Sequence, residues 1–527
     1  LFTSHEMDGA RLLHGTAWIV ETKNTIAFEN ELTEESEEKS LWLAPMRLAL
    51  LSQNAVGTID QSMHSVLNAK YSVLRLLGLC NKVLILDEIH AYDTYMSQII
   101  GRMLQWCKAL KIPVIMLSAT LPSEKKKQFI SCCGGSTCDK TNDGYPLITT
   151  VFANGDVDEI RILEPPHIRR NFILKIAEYK DDFEKIAQLA NDSISGGGCL
   201  CLLMNSVNSA QKAYSSLKEI VSDDTLLMLF HARFSAEVRQ NLENNAVKLF
   251  GKNNIEERPQ KAILVCTQVM EQSLDVDFDA MITELAPIDL LFQRMGRVFR
   301  FDLSSRPESH KQPIITVLVG KNGDADYEND PIYAPLYQVR TLHLLKGKEK
   351  IDIPADIRSF TEEVYRKEAG DEEKIELWAR NQFDDLGNKA EAEACLWGKP
   401  YENQVFFTER TDSFSFVEEP QPFHRVARTR LDDDSQRMAF ITQCEANIIR
   451  NSENICFDKK FAQSILLRSF SLRTNGMGEP PNGSYIDGKG LLRGVRLLIT
   501  ENACFTWNNY RIIYDSELGI IKERGDD

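Results

Sequence analysis

Asp87 and Glu88 stand side by side at the end of the apolar run Val83-Leu84-Ile85-Leu86, and His90 follows two positions later. A short continuous apolar run reads as a strand buried on both faces. Carboxylates at its C-terminal end would lie where open α/β sheets place their ligands. One of them can hold Mg2+ through water, and its neighbour can orient or deprotonate a water that attacks a γ-phosphate. A strand running into acidic turn residues is also common structure, so these residues alone leave both readings open.

Other residues have types and spacings suited to the same chemistry. Ser118-Ala119-Thr120 follows a second apolar run, Pro113 to Leu117. Arg294, Arg297 and Arg300 recur at spacing three, which predicts one face of a short helix. Like charges on one stripe repel unless an anion or carboxylates neutralise them. A nucleotide between two facing domains is such an anion, with Arg297 and Arg300 reaching its γ-phosphate as arginine fingers; a solvated basic face is the bland alternative. Asp275 lies two residues after Ser273 in a turn that could contact ribose or relay closure, and Asp277 and Asp279 either share that role or cap the turn. Thr58 sits in Ala55–Gln61, read as a strand, a Gly-Thr turn and a helix start; such turns can present hydroxyl and N–H groups to a phosphate backbone, or simply cap the helix.

These residues need strand–turn–helix units to position them. A helix is expected from about Tyr95 to Leu110, with Asp93 and Thr94 as cap candidates. Further helices are expected at Asp181–Ile194 and, opened by Ser206, at Val207–Val221. Strands are expected at Cys199–Met204, Leu226–Phe230, Ala262–Cys266, Ala280–Thr283 and Ile314–Val319. Strands alternating with helices imply βαβ units and a parallel sheet. Residues 354–395 read as charged helix, and the tail beyond about 494 as short strands. The expected domains are 1–165, 166–346, a helical linker 347–419 and a small C-terminal domain 420–527.

Composition bounds the rest. A chain of 527 residues is too long for one ordinary core. No apolar run is long enough for a membrane span, and no signal-peptide pattern opens the chain. The net charge of −16 argues against a non-specific nucleic-acid coat, though not against a motor with a local groove. Acidic runs such as Glu34–Glu38 read as solvated loops. Cys132, Cys133 and Cys138 cluster without a second Cys/His pair at zinc spacing, so reduced thiols in a cytoplasm are expected rather than a metal site.

Taken together the motifs resemble those of the superfamily 2 helicases, and more specifically the CRISPR-associated helicase–nuclease of type I systems. The resemblance rests on Val56-Gly57-Thr58-Ile59-Asp60-Gln61, Asp87-Glu88-Ile89-His90-Ala91-Tyr92-Asp93, Ser118-Ala119-Thr120-Leu121-Pro122, Asn205-Ser206-Val207 and His231-Ala232-Arg233-Phe234. The run Thr267-Gln268-Val269-x-Glu271-Gln272-Ser273-Leu274-Asp275-x-Asp277-Phe278-Asp279 and Gln293-Arg294-x-Gly296-Arg297 complete it. Tyr92-Asp93-Thr94-Tyr95-Met96 leans toward subtype I-E.

The resemblance implies an α/β fold of two RecA-like helicase lobes, the first incomplete, plus the helical linker and C-terminal domain. It implies ATP and Mg2+ as cofactors, with Asp87, Glu88, His90, Arg297 and Arg300 catalytic and the metal held at Asp87 through water. It places Asp87, Ser118, Thr120, Asp275, Gln293 and Arg294 at the nucleotide, and Thr58, Ser206, Arg233 and Thr267 on single-stranded DNA. The implied role is a 3′ to 5′ motor, a cytoplasmic monomer recruited by an RNA-guided surveillance complex that has opened an R-loop. Two departures stand out. Gly-Lys occurs five times, never followed by the Ser or Thr of a phosphate-binding loop, and no His is followed by Asp as the nuclease motif requires. The expectation is therefore a fragment of the motor, inactive alone. A different superfamily 2 translocase and a non-catalytic binding protein are the alternatives.

Overall fold

The computed structural model describes residues 10–13, 49–69, 71–136, 145–162, 169–252, 255–271, 274–303, 306–323, 325, 332–370, 372–400, 435–451, 459–474, 476–488, 492 and 494–524. The acidic run 34–38, Cys138 and Ser273 lie outside them. The chain divides into two compact units, Leu1–Leu163 with Ala369–Asp432, and Glu164–Glu368 with Asp433–Asp527.

In the first unit β1 (Ala10–Leu13) pairs parallel with β2 (Asn54–Gly57), and β3 (Leu84–Leu86) pairs parallel with β4 (Val114–Met116). A hairpin, β5 (Leu147–Val151) and β6 (Val157–Arg161), completes its described strands. The helix Thr94–Ala109 begins where expected, with the Asp93 carboxylate accepting from the Met96 N–H at 2.8 Å. Its buried face meets Leu86, Ile89 and Phe129 in one core. The expectation that the strand before Asp87 is buried on both faces is not met. Leu86 is covered, but Val83, Ile85, Ile115 and Leu117 are 55%, 60%, 47% and 47% exposed. Ile85 and Ile115 are register partners on adjacent strands. Among the described residues, helices cover only the other side of this pair.

The residues expected as a linker are divided between the units. The helix Glu372–Cys395 packs in the first unit, where Ala392, Cys395 and Leu396 join the core of the helix Thr94–Ala109. Polar bonds reinforce it: Thr94 Oγ1 donates to Asp385 at 2.6 Å, Arg102 donates to Glu393 at 2.7 Å and to the Trp397 carbonyl, and Trp106 Nε1 donates to the Gly398 carbonyl at 3.1 Å.

The second unit holds a seven-stranded sheet. Its strands are β7 (Arg170–Ala177), β8 (Gly198–Leu203), β9 (Leu226–Phe230), β10 (Lys261–Cys266), β11 (Ala280–Glu284), β12 (Ile314–Leu318) and β13 (Lys350–Ile353), in the order β13-β7-β12-β11-β8-β10-β9. All neighbours are parallel except β13 with β7. β8 and β11 are buried throughout, which is why the run of β8 and the Ala280–Ile282 part of β11 are apolar without alternation. The helices Phe183–Ser193 and Val207–Ile220 pack over one face through Ile186, Ala190, Ala210, Ala213 and Leu217. This is the α/β, parallel-sheet class that the alternating pattern predicts.

After residue 433 two further sheets form: β14 (Ser435–Ile441), β15 (Phe470–Arg473), β16 (Tyr485–Asp487) and β17 (Arg496–Ile499) in the order β15-β14-β17-β16, and the meander β18 (Cys504–Trp507), β19 (Tyr510–Asp515) and β20 (Gly519–Arg524). Met438, Phe470, Leu498, Trp507, Ile512 and Ile520 share their core. By contact this region belongs with the second unit rather than standing alone.

Replacing Arg102 by Ala removes both bonds from its guanidinium. The variant is expected to lose about 1–3 kcal/mol of stability and to exchange the 372–395 amides faster than the parent in a hydrogen-exchange experiment. Unchanged protection would show that Ala392, Cys395 and Leu396 hold the helix without the arginine.

Candidate functional site

The parallel pairing of β3 and β4 brings two loops to one edge. The Leu117 N–H donates to the Leu86 carbonyl at 2.9 Å and the Ile89 N–H to the Leu117 carbonyl at 3.2 Å, so the pairing continues into the loops. Glu88 takes a left-handed backbone, φ +54°, a conformation that costs a non-glycine residue roughly 1–3 kcal/mol. That turn sets the Glu88 carboxylate 3.2 Å from His90 Nε2. The other ring nitrogen, Nδ1, lies 3.2 Å from Ser118 Oγ, which donates to the Thr120 carbonyl at 2.5 Å. His90 is buried and bridges the Asp-Glu loop to the Ser-Ala-Thr loop. Asp87 and Glu88 remain exposed, and the Asp87 carboxylate accepts from the Glu88 N–H at 2.9 Å. Thr120 Oγ1 is buried with no hydrogen-bond partner. Thr58 caps the following helix in position only: its hydroxyl makes no cap bond and is exposed.

The second group lies at the strand ends of the second unit. The three arginines do not share a helical stripe. The helix Ile288–Met295 stops at Gly296, the chain turns through a left-handed Phe299, and Val298 bridges to Phe278. Arg294 points inward at 0% exposure. Its Nε donates to Glu271 at 2.7 Å; Nη1 to Thr283 Oγ1 at 2.7 Å and the Glu284 carbonyl at 2.9 Å; Nη2 to Asn205 Oδ1 at 3.1 Å and the Tyr333 hydroxyl at 2.9 Å. Burial opposes its charge, but Tyr333 and Glu271 outweigh that and push its pKa up. All five donors are occupied, so Arg294 has none left for a nucleotide, and the expectation that it binds one is corrected. The carboxylates and amide around it, Glu271, Glu284 and Asn205, were missed as a group. The sequence signal was two acids at the ends of apolar runs.

Arg297 donates to the backbone carbonyls of Leu274 and Glu271, at 2.5 and 2.7 Å. It therefore ties the backbone of Glu271 to that of Leu274. Arg300 Nε donates to Asp275 at 2.6 Å in an exposed pair, and its two terminal nitrogens have no partner among the described residues. Gln293 Nε2 is buried without a partner. Asp277 and Asp279 are buried structural anions: Arg306 donates to both, Arg258 to Asp279, and the Arg300 N–H to Asp277 at 2.7 Å. That favours the turn-holding reading of this pair.

Ser206 caps the helix Val207–Ile220, accepting from the Ser209 N–H at 3.0 Å. Thr267 is only 2% exposed, so its hydroxyl is covered rather than presented to a strand; this corrects the expectation for that residue. Arg233 is half-buried and donates to Asn208 Oδ1 at 2.6 Å. Burial, and then the charge of Arg473, bring its pKa down to about 10. Neighbouring His231 stacks on Phe234 with ring centroids 4.5 Å apart. Its Nδ1 accepts from the Arg233 N–H at 3.2 Å, so Nε2 carries the proton and donates to the Leu518 carbonyl at 3.1 Å.

No group of three or more metal-ligating side chains occurs among the described residues. Magnesium commonly takes one or two carboxylates with the rest from phosphate and water, and the exposed Asp87–Glu88 pair fits that mode. Burial raises the thiol pKa of Cys132 to about 11 and raises that of Cys133.

His231 generates a pH prediction. Its pKa falls to about 3, first through burial and then through the Arg233 charge. The unfolded value is about 6.5, so its contribution to stability is complete above that pH and is lost as pH falls from there toward 3. Each unit in that window costs about 1.4 kcal/mol. Urea midpoints at pH 7 and pH 5 should differ more for the parent than for His231→Gln. Equal differences would mean that the ring does not resist protonation.

A profile for the C-terminal part of the CRISPR-associated nuclease/helicase Cas3 matches residues 196–303. The CRISPR-associated endonuclease/helicase Cas3 of Thermus thermophilus is 28% identical, covering 97% of this chain and 62% of the relative. That of Escherichia coli is 36% identical, covering 58% of this chain and 35% of the relative. The chain thus spans only part of the length of either. The solved structure of T. fusca Cas3 matches with a TM-score of 0.78 at 23% identity, over 97% of this chain and 65% of that one; structures of it with ADP, AMPPNP and ATP match as well. A CRISPR RNA-guided surveillance complex contains a chain of similar fold, TM-score 0.72 at 23% identity, over 97% of this chain and 64% of that one. The parallel sheets share the fold of the T. fusca Cas3 structure, and profile, relatives and fold agree in making the chain similar to the CRISPR-associated Cas3 helicases.

Proposed function

We propose that the chain is the motor part of a type I CRISPR interference helicase, an ATP-driven translocase moving 3′ to 5′ on single-stranded target DNA. It works as a cytoplasmic monomer recruited by an RNA-guided surveillance complex, and it feeds the opened strand to a nuclease activity. The observation that carries this reading is the bridge Glu88–His90–Ser118, which couples the carboxylate pair to the Ser-Ala-Thr loop. The names of the relatives and the T. fusca Cas3 nucleotide complexes support it. No helix among the described residues is long and apolar enough to cross a membrane.

Bound Mg-ATP would supply the phosphoanhydride whose hydrolysis drives movement. Asp87 would hold the metal through water, and Glu88 would orient and deprotonate the attacking water. His90 fixes the Glu88 carboxylate and, through Ser118, makes its position depend on the second loop. Asp275, Gln293 and Arg300 are the nucleotide-facing candidates, Arg300 through its two open nitrogens, with Arg297 tying Glu271 to Leu274. Thr58, Ser206 and Arg233 would contact the DNA backbone, which gives sequence-independent binding. The 527 residues contain neither Gly-Lys-Ser/Thr nor His-Asp. Turnover therefore needs a phosphate cradle supplied from other residues, and cutting needs a metal site supplied likewise.

The test uses a protein with a phosphate-binding loop joined ahead of these residues. Glu88→Gln should keep ATP binding and reduce DNA-stimulated hydrolysis about 10²–10⁴-fold, as for loss of a positioned general base. Near-normal turnover would sink the assignment. In the same protein, Arg300→Ala should lower kcat much more than nucleotide affinity, since such groups act on the transition state. Weaker binding at constant kcat would instead indicate a basic surface.

A further inference from the structure

The meander β18–β20 is docked onto the loop after β9 by its β19–β20 turn. Gln211 Nε2 donates to the Leu518 and Ile520 carbonyls at 2.6 and 3.1 Å, and the Ile520 N–H donates to the Arg233 carbonyl at 3.0 Å. Gly519 has φ +70°, and a Cβ there would stand 3.0 Å from His231 Cε1 and 3.1 Å from the Arg233 carbonyl oxygen. The approach is therefore close enough to require glycine. It fixes Lys522, two residues beyond Ile520, beside Arg233.

Lys522 occupies a position where the hairpin calls for an apolar side chain. Its register partner is Ile512, and alternation places it on the same face as Ile520; both isoleucines are fully buried. Its ammonium donates to the Arg473 carbonyl at 3.2 Å and lies 4.6 Å from the Tyr510 ring centroid. On the adjoining sheet Arg473 is the register partner of Ser435, and Arg437 that of Ser471, so both arginines share the polar face opposite Met438, Phe470 and Leu472. Arg437 donates to Ser469 Oγ at 2.8 Å, and the Ser469 carbonyl accepts from the Ala236 N–H at the start of the helix that carries Arg239.

Five cations thus lie along one stretch of the unit in two sets, Arg233 with Arg473 and Lys522, and Arg437 with Arg239, joined by the shared face of Arg473 and Arg437. None pairs with a carboxylate among the described residues, although acids outnumber bases 77 to 61 in the whole chain. Elsewhere buried arginines such as Arg258, Arg294 and Arg306 do have acidic partners. Burial lowers the pKa of Arg233, Arg437 and Lys522, and their cationic neighbours Arg473, Arg239 and Arg233 lower each further. A polyanion would relieve both costs.

We propose that this cluster is a binding site for the phosphodiester backbone of a single DNA strand, continuing the path of Ser206 and Arg233 onto the C-terminal sheets through Lys522, Arg473 and Arg437. The site rests on the reading of Arg233 as a strand contact. Its ligand chemistry is shared with free phosphate and nucleotides, so the experiment includes both. The 527-residue chain is titrated against a fluorescent oligothymidylate across a salt series, with inorganic phosphate and ATP as competitors. Arg473→Gln and Lys522→Gln should each weaken binding and reduce the slope of log K against log salt by about 0.7, the value per phosphate contact on a single strand. Arg511→Gln, the same charge change on the opposite face of the hairpin, should alter neither. Arg473 is exposed on its strand, so its variant carries the test if Lys522→Gln fails to fold. Parent binding with unchanged slopes in the folded variants overturns this site and leaves the translocase reading standing. A parent that does not bind the oligonucleotide overturns both. Displacement by millimolar phosphate or ATP at constant ionic strength would make the cluster a small-anion site and overturn the strand assignment.

Discussion

The second unit depends on one buried cation. Arg294 has no contact with water, and a guanidinium in that position is tolerated only if every N–H has an acceptor. Those acceptors come from the segments that carry the motif loops: Asn205 after β8, Glu271 in the turn after β10, Thr283 and Glu284 at the end of β11, and Tyr333. One side chain therefore sets the mutual positions of several loops that the sequence scatters over more than a hundred residues. Asn205 also accepts from Gln268 through its carbonyl, so the turn after β10 is held from two sides. The neighbouring Arg306–Asp277–Asp279–Arg258 network does the same for the opposite end of that turn. The exposed pair Asp275 and Arg300, joined to each other, is presented on this frame.

Much of the fold was legible because each strand–turn–helix unit is locally determined. β8, β10 and the Ala280–Ile282 part of β11 are apolar without alternation, and Asp93 and Ser206 cap the helices they precede. The Asp-Glu loop was legible for the same reason: it follows a strand. What could not be read depends on where the chain goes next. Spacing three in Arg294, Arg297 and Arg300 signals a helical stripe only if the helix continues, and Gly296 stops it. Arg294 looked like a ligand because its partners are distant in sequence. Thr267 reads as a contact from its type and its place after a strand, but packing of distant segments buries it. The charged helix 372–395 reads as a linker by composition; its attachment uses Arg102, Trp106 and Asn68, some 290 to 330 residues away.

The Asp-Glu loop and the Ser-Ala-Thr loop are held by a different device. The same lobe element, a parallel strand pair, sets the Glu88 loop against the Ser118 loop with one histidine between them. A shift of one strand against its neighbour would alter both contacts of that ring together. Left-handed backbone at Glu88 serves that geometry, since an ordinary turn would aim the carboxylate elsewhere. Backbone strain, a buried imidazole and a short hydroxyl bond thus act as one positioning device for an otherwise exposed acid.

The uncovered side of β3 and β4 also has a thermodynamic signature. The heat-capacity increment of unfolding comes chiefly from apolar surface that is dry in the folded state and wet afterwards. Val83, Ile85, Ile115 and Leu117 are already about half hydrated, so they add little to it. Per residue, this strand pair consequently contributes less to the increment than the sheet of the second unit, whose central strands are dry on both sides.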